Sequence, residues 1–125
     1  MRDLNYKLPC DEQGKFLPWL NALRNQCGSY IIRARGTTRT LYVGESSTGN
    51  LAKTIKRHFY SWRDDAERRH FVYDRHTVEI AVRLTPPHTA VAAQNNLIRR
   101  LKPRDNGNAN GGPGSGFWRF LENPF

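Results

Sequence analysis

Two tyrosines sit in settings that could do chemistry. Gly28-Ser29-Tyr30 comes first, and Tyr42-Val43-Gly44 follows downstream. Each tyrosine falls in a short apolar run, and pairing of the two runs as a hairpin brings the phenols near one another. Taken alone, they read as ordinary strand aromatics. Cations gather around them. Lys53, Lys56, Arg57 and His58 share one stretch, and Arg99, Arg100, Lys102 and Arg104 close another, while Arg33, Arg35 and Arg39 surround the hairpin turn. Of the 20 basic residues, 15 are Arg, and a guanidinium fork binds two phosphate oxygens at once. Any one of these cations is as readily a solvated surface charge, but together they exceed what a solvated face requires. Phosphate contacts of this kind give affinity without sequence reading. No base-reading helix or zinc finger is visible.

Elements must hold these groups in place. Tyr30-Ile31-Ile32 and Leu41-Tyr42-Val43 are apolar runs separated by Arg35-Gly36-Thr37-Thr38, which predicts a β-hairpin. Asn50 is placed to cap a helix carrying Leu51, Ile55, His58, Phe59 and Trp62 at helical spacing. Residues 64–74 are highly charged and read as a loop or short helix extension. Val78, Ile80, Val82 and Leu84 alternate with Glu79, Ala81 and Arg83, which predicts a half-buried strand with Glu79 facing away from the core. Pro86-Pro87 breaks it. His88 to Leu101 then predicts a helix with Val91, Gln94, Leu97, Ile98 and Leu101 on one stripe, ended by Pro103. Upstream, Phe16, Leu17, Leu20 and Leu23 predict a helix within residues 1–27, with Pro18 in its first turn. Residues 107–116 form a flexible Gly/Asn-rich linker by composition, and 117–125 form an apolar anchor that docks back on the domain or binds a partner.

With 125 residues, one compact domain over 1–106 is expected. Charged residues make up 25% and hydrophobic residues 38%, which excludes a compositionally disordered chain. The formal charge of +9 points to a polyanionic partner. No apolar run is long enough to span a bilayer, and the N-terminal residues lack the apolar core of a signal peptide, so a cytoplasmic protein is expected. Cys10 and Cys27 lack zinc spacing and read as free thiols.

The ordered set of short motifs resembles the GIY-YIG nuclease superfamily. The elements are GSY at 28–30, YVG at 42–44, KRHF at 56–59 and QNNLIRRLKPRDN at 94–106, so the resemblance covers residues 28–106. It implies an α+β fold: a small three-stranded antiparallel sheet flanked by helices, in the order α-β-β-α-β-α. It also implies phosphodiester hydrolysis with one divalent metal, magnesium or manganese. Tyr30 and Tyr42 match tyrosines that line the site, one of which orients or deprotonates the attacking water. Gly44 matches a glycine that admits close backbone approach. His58 matches a histidine for proton transfer or phosphate contact, and Asn106 an asparagine that supports the site by hydrogen bonding.

Two positions depart from the family pattern. The catalytic arginine, four residues before the histidine, is Thr54, and the metal-binding glutamate, three before the Leu-Ile pair, is Gln94. A neutral hydroxyl cannot replace the positive charge that stabilises phosphoryl oxygens in the transition state. A magnesium site normally needs at least one carboxylate. Arg57, on the face of Thr54, and Glu45, directly after Gly44, are substitutes for the two lost groups. Lys53 points elsewhere. Gln94 as an engineered replacement of Glu accounts for one departure and not for Thr54.

Three expectations follow. The first is a nucleic-acid-binding protein, with double-stranded DNA as partner, in which cleavage is weakened or lost. The second is an active magnesium-dependent endonuclease using Arg57 and Glu45, or having Glu at 94 in its natural form. The third is a protein-interaction module, with Phe117 to Phe125 as the contact for a protein partner or a second copy.

Overall fold

The computed structural model describes residues 4–59 and 73–106. The expectations for Trp62, for most of the charged stretch, for the linker and for the apolar anchor lie outside them. The protein is α+β. Strands β1 (Gly28–Ala34), β2 (Thr40–Ser46) and β3 (Val78–Leu84) form one antiparallel sheet in the order β2-β1-β3. Helices α1 (Pro18–Asn21), α2 (Leu51–Lys56) and α3 (Pro87–Leu101) surround it. A 3-10 turn, Arg57–Phe59, continues α2. No helix among the described residues is long and apolar enough to cross a membrane.

Local chemistry explains most boundaries. The hairpin turn closes through Ala34 N–H to Arg39 C=O at 3.0 Å and Thr37 N–H to Ala34 C=O at 3.1 Å. Asn50 caps α2: its side-chain oxygen accepts from Lys53 N–H at 3.0 Å. Pro87 starts α3, where a missing N–H does no harm. Lys102 ends it in the left-handed conformation, φ 49°, with its N–H bonded to Ile98 C=O at 2.9 Å, and Pro103 cannot continue the helix.

Strand alternation sorts the core into two halves. On one face Tyr30, Ile32, Tyr42, Val78 and Ile80 pack with Leu20, Leu51, Ile55 and Phe59. On the other Ile31, Val43 and Ala81 pack with Leu97 of α3. Central β1 is therefore buried on both sides. Gly28 lets it run close to β3, since a Cβ there would lie 2.2 Å from the Arg83 carbonyl oxygen.

Two expectations need correction. The helix within 1–27 contracts to the four residues of α1. The chain before it is largely extended, and Lys7 pairs with Ile80 on the outer edge of β3 by two backbone bonds of 2.9 and 2.8 Å. Phe16, Leu20 and Leu23 all reach the core, but from separate turns rather than from one helix. The third strand is half-buried in a different way: its second face is partly covered, and Leu84, expected among its buried residues, is 53% exposed. Ala81 is buried beneath α3, and Glu79 forms an ion pair with Arg33 at 2.6 Å, beside the Tyr6 ring on which Arg33 stacks at 3.5 Å. Alternation placed Glu79 on the second face, and α3 with the N-terminal segment then covered that face.

Candidate functional site

Cross-strand register and the end of α2 bring three sequence-predicted residues together. Tyr30 lies directly opposite Gly44, and Tyr42 opposite Ile32 one step along, so both phenols project from one face. The 3-10 turn after α2 delivers His58 to them. Ring centroids stand 6.3 Å apart for Tyr30 and Tyr42, 5.6 Å for Tyr30 and His58, and 4.7 Å for Tyr42 and His58. Tyr30 Oη and His58 Nε2 share a hydrogen bond of 2.8 Å.

Gly44 makes this packing fit. A Cβ at position 44 would meet Tyr30 Oη at 2.3 Å and Cζ at 2.4 Å. Its role is to let the phenol lie across the backbone of β2.

The cluster is sealed. Tyr30 and His58 are 0% exposed and Tyr42 is 1% exposed. Burial holds the Tyr30 phenol well above its ordinary range; Tyr42, Tyr73 and Glu45 add to the rise, and Arg57 opposes it. Burial likewise pushes Tyr42 up, with Glu45 and Asp105 adding to it. Such phenols stay protonated at neutral pH and serve as hydrogen-bond donors, not bases. The Nε2 of His58 is already engaged by Tyr30, and a proton acceptor must reach the water it activates.

The carboxyl-terminal end of the described chain locks this side of the sheet. The Asn106 amide pairs with both backbone groups of Val43: its Oδ1 accepts from Val43 N–H at 2.7 Å, and its Nδ2 donates to Val43 C=O at 2.9 Å. β2 is an edge strand, so Asn106 satisfies groups that would otherwise lie unpaired on that edge. Asp105, also buried, accepts from the Tyr73 hydroxyl and from Arg104. Tyr73 N–H bonds the His58 carbonyl at 2.7 Å, and its ring lies 5.8 Å from the imidazole.

Tyr73 and Asp105 had no assigned role in the sequence. Asp105 had one available signal, a carboxylate directly beside Asn106. Nothing in the charged stretch marked Tyr73. Ser29, between Gly28 and Tyr30, also carried no signal.

The two departing positions are both buried. Thr54 is 6% exposed, and its hydroxyl donates to Asn50 C=O at 3.2 Å. Gln94 is 3% exposed on α3, which packs against the sheet face opposite the tyrosines. Among the described residues no three His, Cys, Asp or Glu side chains gather as metal ligands. Hard-cation chemistry at this end of the sheet is left to Glu45. One of its oxygens, Oε1, is buried without a hydrogen-bond partner, and so is the hydroxyl of Ser29 across the strand pair. A carboxylate oxygen and a hydroxyl oxygen are the hard donors that a magnesium-type ion takes. Burial pushes the Glu45 carboxyl up from its ordinary value, and Ser47 opposes this.

The predicted phosphate-binding cations divide into two groups. Arg35, Arg39, Lys53, Arg99, Arg100, Lys102 and Arg104 are exposed. Arg104 is bonded to Asp105 at 2.8 Å, and Arg99 to Asn96. Arg33, Lys56 and Arg57 are half-buried. Arg33 is held by Glu79; Lys56 bonds Asn21 and lies over the Phe16 ring at 5.2 Å; Arg57 acts electrostatically on Tyr30. α3 begins just after β3, and Leu97 packs against mid-sheet Ile31 and Val43, so the helix runs back along the sheet. Its last turn, with Arg99 and Arg100, therefore lies towards the end that carries the Arg35–Arg39 turn.

No family model matches the sequence, and no curated protein matches it.

Proposed function

We propose that this protein binds nucleic acid, with double-stranded DNA as the partner, on a GIY-YIG-like scaffold whose phosphodiester cleavage is weakened or lost. The observation that carries the binding is the set of exposed cations, led by Arg35, Arg39, Arg99, Arg100 and Lys102, gathered towards one end of the sheet. Weak cleavage is supported by the closed Tyr30–His58 pair and by neutral, buried Thr54 and Gln94. A group that stabilises charge in a phosphoryl transition state must reach it, and losing one such group costs about 10²–10³ in rate.

A fluorescence-anisotropy titration of a labelled duplex across a salt series tests the binding. Engagement of about four phosphates gives a slope of log K against log salt near −3.6. No binding at low salt overturns the proposal. Incubation with magnesium or manganese tests the weakened cleavage, with little or none expected from this chain. Thr54→Arg with Gln94→Glu together are expected to restore cutting where the rest of the site is competent.

A second reading, with Glu45 and Arg57 as the substitute residues, is favoured by one observation: Glu45 carries a buried oxygen without a hydrogen-bond partner. Those residues would then serve as the substitute metal ligand and phosphate-binding cation of an active endonuclease. Cleavage abolished by Glu45→Gln would support it.

A further inference from the structure

Apolar surface and a cation meet in a groove away from the tyrosine cluster, a cavity of about 210 Å³ at the β3 side of the sheet. Ile80, Val82 and Leu84 line it from the strand, and Trp19 and Leu23 line it from α1 and the turn that follows. Exposed Lys7 also lines it, with its ammonium 5.6 Å from the Trp19 ring centroid. No acidic side chain is among its described lining residues. The walls are already fixed: Trp19 Nε1 donates to Leu8 C=O at 2.8 Å, and Ile80 is tied to Lys7 by two backbone bonds. Leu84 nevertheless leaves 53% of its surface open, more than any other large apolar residue described.

Apolar walls with a single cation suit an aromatic ring that has a carboxylate close by. The chain itself supplies that combination. Phe117-Trp118-Arg119-Phe120-Leu121-Glu122 follows the ten residues 107–116. In an extended segment alternate residues share a side, so Trp118, Phe120 and Glu122 fall together and Arg119 falls opposite. Reach is sufficient. Asn106 is bonded to Val43 on the outer edge of β2, and β3 lies two strand spacings, about 10 Å, away. Ten residues span at most about 33–36 Å, and about 16–19 Å on average when Gly-rich. A tether of that length holds what it carries at a roughly millimolar effective concentration.

We propose that residues 117–122 of this chain dock in the groove, with the Phe120 ring against Trp19, Leu23 and Leu84 and the Glu122 carboxylate at Lys7. Composition leaves the apolar anchor two destinations, this domain or a partner, and the groove assigns it to this domain. Docking covers the open surface of Leu84 and removes the exposed aromatic side chains from water in the same step. The contact stands apart from nucleic-acid binding, because the groove uses none of the cations proposed to meet phosphate.

The test uses the full chain without nucleic acid. NOE spectra of the unmutated protein need no variant, and they are expected to show Phe120 ring protons in contact with the Val82 and Leu84 methyls. Leu84→Asp changes a side chain that is already half open to solvent. It is expected to abolish those contacts and to speed chymotrypsin cleavage within residues 117–121 by about tenfold or more, since cleavage follows the undocked population. Lys7→Glu is expected to speed it by about two- to fivefold. Val91→Asp, at an exposed apolar residue outside the groove, leaves the rate unchanged. Phe120 contacts centred elsewhere, contacts found only between separately labelled copies, or a cleavage rate indifferent to Leu84→Asp overturns the proposal.

Discussion

Gly44→Ala isolates the packing that holds the tyrosine–histidine cluster together. The new methyl would lie 2.3 Å from Tyr30 Oη, and ordinary contact begins at 3.4 Å, so the phenol must retreat by 3.4 − 2.3 = 1.1 Å. Tyr30 Oη is bonded to His58 Nε2 at 2.8 Å, and a retreat of that size breaks the bond or displaces the imidazole. Overpacking costs about 1–3 kcal/mol, and a buried polar group left unpaired costs about 1–3 more, so the variant should lose about 2–6 kcal/mol. Gly44 has no positive φ. Without the ring, alanine would therefore be neutral or stabilising by about 0.4–1 kcal/mol through the unfolded chain. Urea denaturation measures the loss, and the His58 ring resonances should shift with it. In a Tyr30→Leu background the same substitution should cost at least about 1.5 kcal/mol less, a coupling expected of residues in direct contact. Gly44→Ala within about 0.5 kcal/mol of the parent, or a coupling of zero, would refute the reasoning.

Other perturbations follow from the same contacts. Asn106→Ala removes two buried bonds to Val43 and should cost about 2–4 kcal/mol in urea denaturation, with faster exchange of the Val43 amide. Glu45 has its folded-state pKa raised by burial, so stability falls as pH rises from the ordinary carboxylate range through that raised value. Glu45→Gln should therefore be more stable than the parent at neutral pH. The difference should shrink on acidification, which thermal melts across pH can follow. Replacing Arg99, Arg100 and Lys102 together by Ala should flatten the salt slope of DNA binding by up to about 2.7, because all three are exposed. An unchanged slope would remove the end of α3 from the binding surface.

The sequence by itself determined the local elements. Alternating apolar residues in Val78 to Leu84, the two apolar runs around a glycine turn, and Asn50 before a helical pattern are short-range signals, and a strand, a hairpin and a capped helix stand at those places. It also placed Tyr30 and Tyr42 on neighbouring strands and His58 on the helical stretch that follows. It could not place the N-terminal segment, whose extended path depends on Lys7 meeting Ile80 far along the chain. The role of Gly44 was open for the same reason, since the close approach it permits is made by a phenol on another strand.

Tertiary structure alone decided where the polar atoms go. Glu79 reads as a solvent-facing strand residue until Arg33 and the covered second face meet it. Tyr73 and Asp105 are unremarkable in sequence, and their bond exists only because the chain beyond α3 folds back beside β3's approach. The Tyr30–His58 pair and the unpaired oxygens of Ser29 and Glu45 follow the same rule. Residue type sets what a side chain can offer or accept. Burial and long-range register set whether a partner is within 3 Å or so, and that distance separates a satisfied core group from one open to a ligand.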